Sequence, residues 1–156
     1  MILIVTGTPG TGKTTVAKEV SKLLNHEYID VNELIRTKEY DQERDCRIVD
    51  VEELKTKLLS LINKSSDLVI DSHLSHYLDS KFVDLCIVTK CSLPVLKKRL
   101  EKRNYSEKKI RENLDAEIFD TCRVEAQEQG HKIVTINTDQ KYDLKKILHA
   151  AGVAAP

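Results

Sequence analysis

Short apolar runs alternate along the chain with longer segments in which apolar residues recur every three or four positions. The runs are too short for helices and are typical of strands that are buried on both faces. They cover residues 2–5, 68–70, 85–88 and 133–136, with a weaker run around residues 28–31. Strands that alternate with helices predict an α/β fold, here a five-stranded parallel sheet with helices on both faces. In such a sheet, ligands bind where the carboxyl ends of the strands meet the amino ends of the helices.

Five segments have the apolar spacing of amphipathic helices. They are residues 16–24, 51–61, 93–100, 106–129 and 144–148. Ser92 can cap the third of them, and Pro94 stands in its first turn, where a missing N–H is tolerated. Gly130 ends the fourth, which we predict as one continuous helix.

The composition is that of one globular domain. The chain has 156 residues and no linker or repeat divides it, so we expect a single domain over residues 1–156. Its 25 Lys and Arg balance its 25 Asp and Glu, which predicts no global attraction to nucleic acid or membrane. The four cysteines have no Cys-x-x-Cys spacing, so neither a zinc site nor a redox motif is indicated. The first apolar run is too short for a signal or transmembrane segment, and we expect a cytoplasmic monomer.

A phosphate-binding loop follows the first predicted strand. From Gly7 to Thr14 the sequence reads Gly-Thr-Pro-Gly-Thr-Gly-Lys-Thr, which matches the motif Gly-x-x-x-x-Gly-Lys-Thr. The glycines let backbone N–H groups approach phosphate oxygens, Lys13 supplies a cation to the β and γ phosphates, and Thr14 offers a hydroxyl to Mg²⁺. The loop therefore predicts ATP and Mg²⁺ as cofactors. The predicted nucleotide-binding residues of the loop are Gly7, Pro9, Gly10, Thr11, Gly12, Lys13, Thr14 and Thr15.

A carboxylate that holds Mg²⁺ or its water is expected at the end of a buried strand that faces the loop. Asp71 is in that position, directly after the apolar run 68–70. Asp84 and Asp30 are the alternatives. Asp84 begins its strand and should lie at the opposite edge of the sheet, whereas Asp30 would lie near the acceptor side, so we favour Asp71 as the metal ligand.

His73 follows Asp71 by two residues and shares the exit of the same strand. It could orient the attacking oxygen or sense the γ-phosphate, or it could be a capping or solvent-facing histidine. The Asp-x-His pattern suits a kinase acceptor site and a hydrolytic water equally well, so both reactions stay open.

Arginines that close over the phosphates are expected in a phosphoryl-transfer enzyme. Arg99 and Arg103 are four residues apart, on one face at the end of a predicted helix, and precede a break at residues 104–106. The alternative is a solvated helix end whose cations favour the helix dipole. Arg36 is a candidate for the acceptor's phosphate, and Arg44 and Arg47 are weaker ones for which a surface role is preferred.

Asn137 follows the last predicted strand together with Thr138 and Asp139. A nucleotide base could rest at this edge of the sheet. The same residues also have the character of an N-cap for the final helix, which is the preferred interpretation.

The motifs taken together resemble the adenylate kinase isoenzyme 6 family, which includes the ribosome-assembly ATPases of eukaryotes and archaea. The resemblance spans nearly the whole chain. It rests on residues 7–15, Asp71-Ser72-His73 as the family's Asp-x-His, residues 99–109, 112–114 and 116–118, and more weakly on residues 34–36, 45–46 and 48–50.

The resemblance implies a P-loop fold of the nucleoside-monophosphate-kinase type, with a monophosphate-binding region at about residues 31–62 and a short lid at about residues 99–111. It implies adenylate kinase activity beside ATP hydrolysis, with AMP and ADP as small-molecule substrates. It also implies a ribosomal protein of the small-subunit platform as partner, in late small-subunit maturation. The implied roles are phosphate and Mg²⁺ binding for Lys13 and Thr14, the Walker B role for Asp71 and His73, the AMP phosphate for Arg36, and the lid for Arg99 and Arg103. A kinase of a small non-nucleotide metabolite is a further alternative.

Overall fold

The computed structural model describes residues 1–34, 40–41, 46–47 and 50–156 of the chain, the two short internal pieces by their backbone only. Its main sheet has five strands in the order β2-β5-β1-β6-β7, and every pair in it is parallel. The strands are β1 (Ile2–Thr6), β2 (Glu27–Asp30), β5 (Leu68–Asp71), β6 (Leu85–Lys90) and β7 (Ile133–Asn137), and a separate antiparallel pair is formed by β3 (Tyr40–Asp41) and β4 (Cys46–Arg47). The predicted sheet is therefore confirmed.

Helices cover both faces of this sheet. They are α1 (Lys13–Leu24), α2 (Val31–Leu34), α3 (Val51–Lys64), α4 (Leu93–Lys102), α5 (Glu107–Ile118), α6 (Thr121–Glu128) and α7 (Leu144–Ala150). On one face, Val20 of α1 and Leu148 of α7 pack with Val69 of the sheet. On the other face, Leu58 of α3 and Ala126 of α6 pack with strand residues such as Ile70. Because strand side chains alternate between the two faces, this two-sided core explains the continuous apolar runs of the central strands.

The predicted continuous helix over residues 106–129 is wrong, because the structure divides it into α5 and α6. Asp120, between them, has a φ of 55°, a left-handed conformation that a helix interior does not adopt. Its carboxylate forms ion pairs with Lys90 and Arg123, so the break joins the helix pair to the end of β6. The apolar stripe also ends here, since Ile118 is 56% exposed and Phe119 is 74% exposed.

The second strand is followed at once by α2, where the Asp30 carboxylate accepts a hydrogen bond from the backbone N–H of Asn32. Much of the predicted monophosphate-binding region, including Arg36 and Arg44, lies outside the described residues, and so does the side chain of Arg47. Among the described helices, none is long and apolar enough to cross a membrane.

Candidate active site

The glycine-rich loop leaves β1 and enters α1 with its backbone in conformations that favour glycine. Gly7, Gly10 and Gly12 have φ values of 149°, 92° and 92°. A Cβ at Gly7 would lie 2.5 Å from the Thr89 hydroxyl oxygen and 2.6 Å from the Thr89 carbonyl oxygen. Gly12 provides no side-chain cap for α1, whose first turn contains no acidic residue. The amino end of α1 therefore presents N–H groups and the positive end of its dipole to an anion.

Hydrogen bonds from threonines hold the loop in this shape. The Thr11 hydroxyl lies 2.7 Å from the Thr8 carbonyl oxygen, to which it donates, and 2.8 Å from the hydroxyl oxygen of Thr89 on β6. The Thr138 hydroxyl donates to the Thr11 carbonyl oxygen at 2.6 Å. The loop is thus tied to the ends of two neighbouring strands.

Lys13 projects from the first turn of α1 into the site, and its ammonium donates to the Thr8 carbonyl oxygen at 3.3 Å. Burial lowers the pKa of Lys13 to about 8, although Asp71 opposes the change. Among the described residues, no carboxylate forms an ion pair with Lys13. A half-buried cation whose partner is a neutral carbonyl is suited to a phosphate group, which would stabilise its charged form.

Thr14 and Asp71 lie in direct contact. The Thr14 hydroxyl donates to Asp71 Oδ2 at 2.7 Å, and the Asp71 carboxylate is 4% exposed. The Tyr28 hydroxyl donates to the same oxygen at 2.8 Å, and burial together with Asp71 raises its pKa. A hydroxyl and a carboxylate at a phosphate-binding loop are hard oxygen ligands of the kind that Mg²⁺ uses when phosphates and water complete its shell. The donor set therefore fits Mg²⁺.

The two alternative aspartates occupy different ends of the sheet. Asp84 Oδ2 accepts from the backbone N–H of Ile2 at 2.7 Å, so it lies at the amino end of β1, away from the loop. Asp30 is paired in register with Asp71 across β2 and β5 and lies at the same edge as the loop. The order of these residues along the sheet agrees with the sequence argument for Asp71.

His73 is half-buried just beyond β5. Burial, with smaller contributions from Lys13, His76 and Lys109, lowers the pKa of His73 to about 4, so its imidazole is neutral at pH 7. His76 is the more deeply buried of the two. Its Nδ1 is 2.8 Å from the Thr6 hydroxyl oxygen and its Nε2 is 2.7 Å from Glu125 Oε2.

The paired arginines at the end of α4 have different environments. Arg99 is half-buried, and its Nη1 donates to the Gly10 carbonyl oxygen at 3.2 Å and to the Thr138 hydroxyl oxygen at 3.1 Å. Arg103 is exposed at the C-cap of α4, and its charge lowers the pKa of Lys13 slightly. One arginine therefore already contacts the loop, while the other faces the site from its rim.

The predicted cap of the final helix is wrong. The cap of α7 is Asp143, whose carboxylate accepts from the backbone N–H of Lys146 at 3.2 Å. Asn137 is exposed at the end of β7, and Asp139 accepts from the backbone N–H of Ser92 at 3.0 Å. Asp139 thus ties the segment after β7 to the residue that precedes α4, whose own side chain makes no cap hydrogen bond.

Some residues of the site were missed by sequence reasoning. Tyr28 and Thr138 contact predicted site residues through hydroxyls, and Glu117 of α5 is 8% exposed and lies near Thr8 of the loop. Burial raises the pKa of Glu117, and Lys90, at 3.4 Å, opposes this rise. The contact of Tyr28 with Asp71 depends on the pairing of β2 with β5, which the sequence alone does not give. Nothing in the sequence separates Thr138 or Glu117 from ordinary turn and helix residues.

Comparison with known proteins gives relatives along most of the chain. A family model described as an AAA domain matches residues 3–120. A protein of Methanosarcina acetivorans named putative adenylate kinase is 41% identical over 148 residues, which cover 88% of this chain and 77% of that protein. A protein of Methanocaldococcus jannaschii with the same name is 34% identical over 154 residues, which cover 96% of this chain and 85% of that protein.

A solved structure is similar to this chain in its fold. The structure of deoxyadenosine kinase from M. mycoides with bound dATP is similar with a TM-score of 0.62 and covers 96% of both chains. Its sequence identity is 16%, so the likeness concerns the fold alone. With the family match and the parallel sheet, it confirms the predicted P-loop fold.

Proposed function

We infer the function from one premise: the chain belongs to the AAA-domain family whose model it matches and to the family of the archaeal proteins named putative adenylate kinase. On this premise we propose that the protein is a nucleotide kinase that transfers the γ-phosphoryl group of ATP to AMP. The observation that carries the proposal is the contact of Thr14 with Asp71, at 2.7 Å, beside the phosphate-binding loop and Lys13. Together, Thr14, Asp71, Lys13 and the amino end of α1 supply the two oxygen ligands, the cation and the helix end that a phosphoryl-transfer site needs.

The chain's own residues have separate tasks in this reaction. The loop N–H groups and the amino end of α1 bind the ATP phosphates, and Lys13 balances their charge. Thr14 and Asp71 would hold Mg²⁺, which when bound would neutralise part of the phosphate charge. Arg99 holds the loop through the Gly10 carbonyl oxygen and can turn towards phosphate, and Arg103 approaches the phosphates as the lid, about residues 99–111, closes over them.

AMP as the acceptor is supported by the archaeal relatives, which are named putative adenylate kinases. The carboxyl ends of β2 and β5 form the neighbouring edge of the sheet, where an acceptor would lie beside Asp71. Arg36, the predicted contact for the AMP phosphate, follows this edge along the chain and lies outside the described residues.

A nucleotide assay with and without AMP tests the proposal. Purified protein with Mg²⁺ and ATP is expected to form ADP much faster when AMP is added, with two ADP produced for each AMP consumed. The matched control is Lys13→Ala, which should lose this activity because the cation at the β and γ phosphates is gone. A protein that binds ATP but forms no ADP from AMP, in the presence of Mg²⁺, would rule out AMP as acceptor.

Hydrolysis of ATP is a second candidate, and the environment of His73 favours it. A neutral imidazole near Lys13 and the end of β5 is suited to orient a water molecule towards the γ-phosphate. ADP formation without AMP, lost in His73→Ala while transfer to AMP persists, is the expected result for this reaction. The ribosomal-protein partner rests on the resemblance alone, and a pull-down with and without nucleotide tests it.

A further inference from the structure

Asp71 is held by two hydroxyl groups that meet at one oxygen. The Tyr28 hydroxyl donates to Asp71 Oδ2 at 2.8 Å, and the Thr14 hydroxyl donates to the same atom at 2.7 Å. The proposed function assigns Thr14 and Asp71 to the metal, but it gives Tyr28 no task. Both donors lie on Oδ2, so Oδ1 is the oxygen that neither hydroxyl holds.

The fold gives the Tyr28 hydroxyl a fixed position. Tyr28 lies within β2 and is paired in register with Val69 of β5. Its ring packs against the core cluster that includes Val20 and Leu24 of α1, and the Lys18 ammonium lies 5.5 Å from the ring centroid. A strand on one side and a helix on the other therefore restrict the ring, and the hydroxyl is a rigid donor.

A rigid second donor changes what the carboxylate can do. The terminal torsion of an aspartate is broad, so one hydrogen bond leaves the plane of the carboxylate free to turn. Two donors on the same oxygen restrict that rotation, and they also replace the hydration that a buried anion loses. Groups that orient metal ligands in this way commonly change metal affinity by a factor of about 10–100 when they are removed.

We propose that Tyr28 is a positioning residue of the magnesium site: its hydroxyl holds the Asp71 carboxylate in the orientation in which it receives the ion. This inference rests on the proposed use of ATP with Mg²⁺. It assigns to the second strand a role in metal binding, in addition to its place in the sheet.

The test is the affinity of the protein–nucleotide complex for Mn²⁺, used as a paramagnetic probe in place of Mg²⁺. With protein in excess over a non-hydrolysable ATP analogue, the free Mn²⁺ signal in electron paramagnetic resonance gives the dissociation constant of the metal. Tyr28→Phe, which keeps the ring and removes one oxygen, is expected to raise this constant about tenfold. The affinity for the analogue in EDTA should stay within about twofold of the wild type, because the loop and Lys13 are unchanged.

Tyr142→Phe is the matched control. Its hydroxyl also donates to a carboxylate, Glu19 Oε2 at 3.0 Å, but on an exposed surface away from the loop. This variant should bind Mn²⁺ like the wild type. Asp71→Asn, which loses the carboxylate itself, gives the size of a full loss of the site.

Three outcomes would overturn the inference. The first is a Tyr28→Phe complex that binds Mn²⁺ as tightly as the wild type while Asp71→Asn does not. The second is a wild-type complex that binds Mn²⁺ no better than the free analogue. The third is a Tyr28→Phe variant that loses metal-free and metal-bound nucleotide equally. The Mn²⁺ measurement needs no acceptor, so it can be interpreted even if the protein does not transfer phosphate to AMP. That failure would be detected by the separate nucleotide assay.

Discussion

At the scale of single residues, the shape of the phosphate-binding loop depends on the absence of a side chain at Gly7. Of the five glycines in the chain, Gly7 is the one at which an added Cβ would come closest to another atom, 2.5 Å from the Thr89 hydroxyl oxygen. Thr89 cannot easily move, since its hydroxyl is also 2.8 Å from that of Thr11 and its carbonyl belongs to β6. The contact therefore couples the loop to the centre of the sheet.

Gly7→Ala is expected to weaken ATP binding by more than about tenfold and to lower the free energy of unfolding by about 2–4 kcal/mol, from backbone strain and overpacking together. The control is Gly152→Ala, which also has a positive φ, 82° against 149° at Gly7, but whose Cβ would meet only Lys132 Nζ, at an ordinary contact distance of 3.6 Å. It should cost only about 1 kcal/mol and leave ATP affinity unchanged. Denaturant unfolding and ATP titration measure both variants, and unchanged ATP affinity in Gly7→Ala would contradict the coupling.

Sequence reasoning at this scale is most specific where one residue type has one use. The spacing of Gly12, Lys13 and Thr14 indicates the loop, and the position of Asp71 after a buried strand predicts a carboxylate that faces it; in the structure Asp71 lies against Thr14. The contact of Tyr28 with Asp71 was not predicted, because a tyrosine in a strand usually packs in the core and its neighbour on the next strand is not known from the sequence. The order of β2 beside β5, which brings its hydroxyl to Asp71, is a property of the fold.

At the scale of elements, the break between α5 and α6 is built around Asp120. Its backbone is left-handed, and its carboxylate is paired with Lys90 of β6 and Arg123 of α6. Burial raises the pKa of this carboxyl, but the two cations outweigh burial and lower it. The side chain is 24% exposed, so the pairs are partly protected from water.

Asp120→Asn separates the charge from the backbone conformation. Asn tolerates the left-handed region as well as Asp does, so the loss should come from the ion pairs and amount to about 1–3 kcal/mol in the free energy of unfolding. Asp120→Ala should cost about 1 kcal/mol more, because it adds the left-handed strain. Denaturant unfolding gives both values. Equal stabilities of Asp120→Asn and the wild type would mean that the ion pairs do not hold the break.

The elements that sequence reasoning placed wrongly share a cause. The spacing of Ile110, Leu114 and Ile118 continues without interruption into the next helix, and no glycine or proline marks the turn at Asp120. Likewise, the Asp139 side chain accepts from the backbone N–H of Ser92, 47 residues earlier in the chain, and the cap of α7 is Asp143. Both features depend on contacts between distant parts of the chain, which local spacing does not contain.

At the scale of the whole molecule, a buried histidine joins the sheet to the helices behind the site. His76 contacts Thr6 at the end of β1 and Glu125 on α6, and its carbonyl oxygen accepts from His131 at 2.8 Å. The Tyr77 hydroxyl donates to the same Glu125 oxygen at 3.1 Å. The network connects three parts of the fold through one side chain, whose exposed fraction is 1%.

The stability of the protein should therefore fall in mild acid. Burial lowers the pKa of His76 below its ordinary value of 6.5, although Glu125 opposes this, and His73 is shifted in the same direction. As the pH falls below about 6.5, the unfolded chain takes up protons that the folded protein resists, so the free energy of unfolding decreases. The slope is at most about 1.4 kcal/mol per pH unit for each histidine.

His76→Gln should be less stable at pH 7.5 but lose less stability between pH 7.5 and about 5.5, with the remaining slope due to His73. His149→Gln, on the exposed face of α7, should keep the wild-type slope. Denaturant unfolding at several pH values measures this. If the free energies of unfolding of the wild type and His76→Gln fall by the same amount across this pH range, the buried network does not set the acid sensitivity.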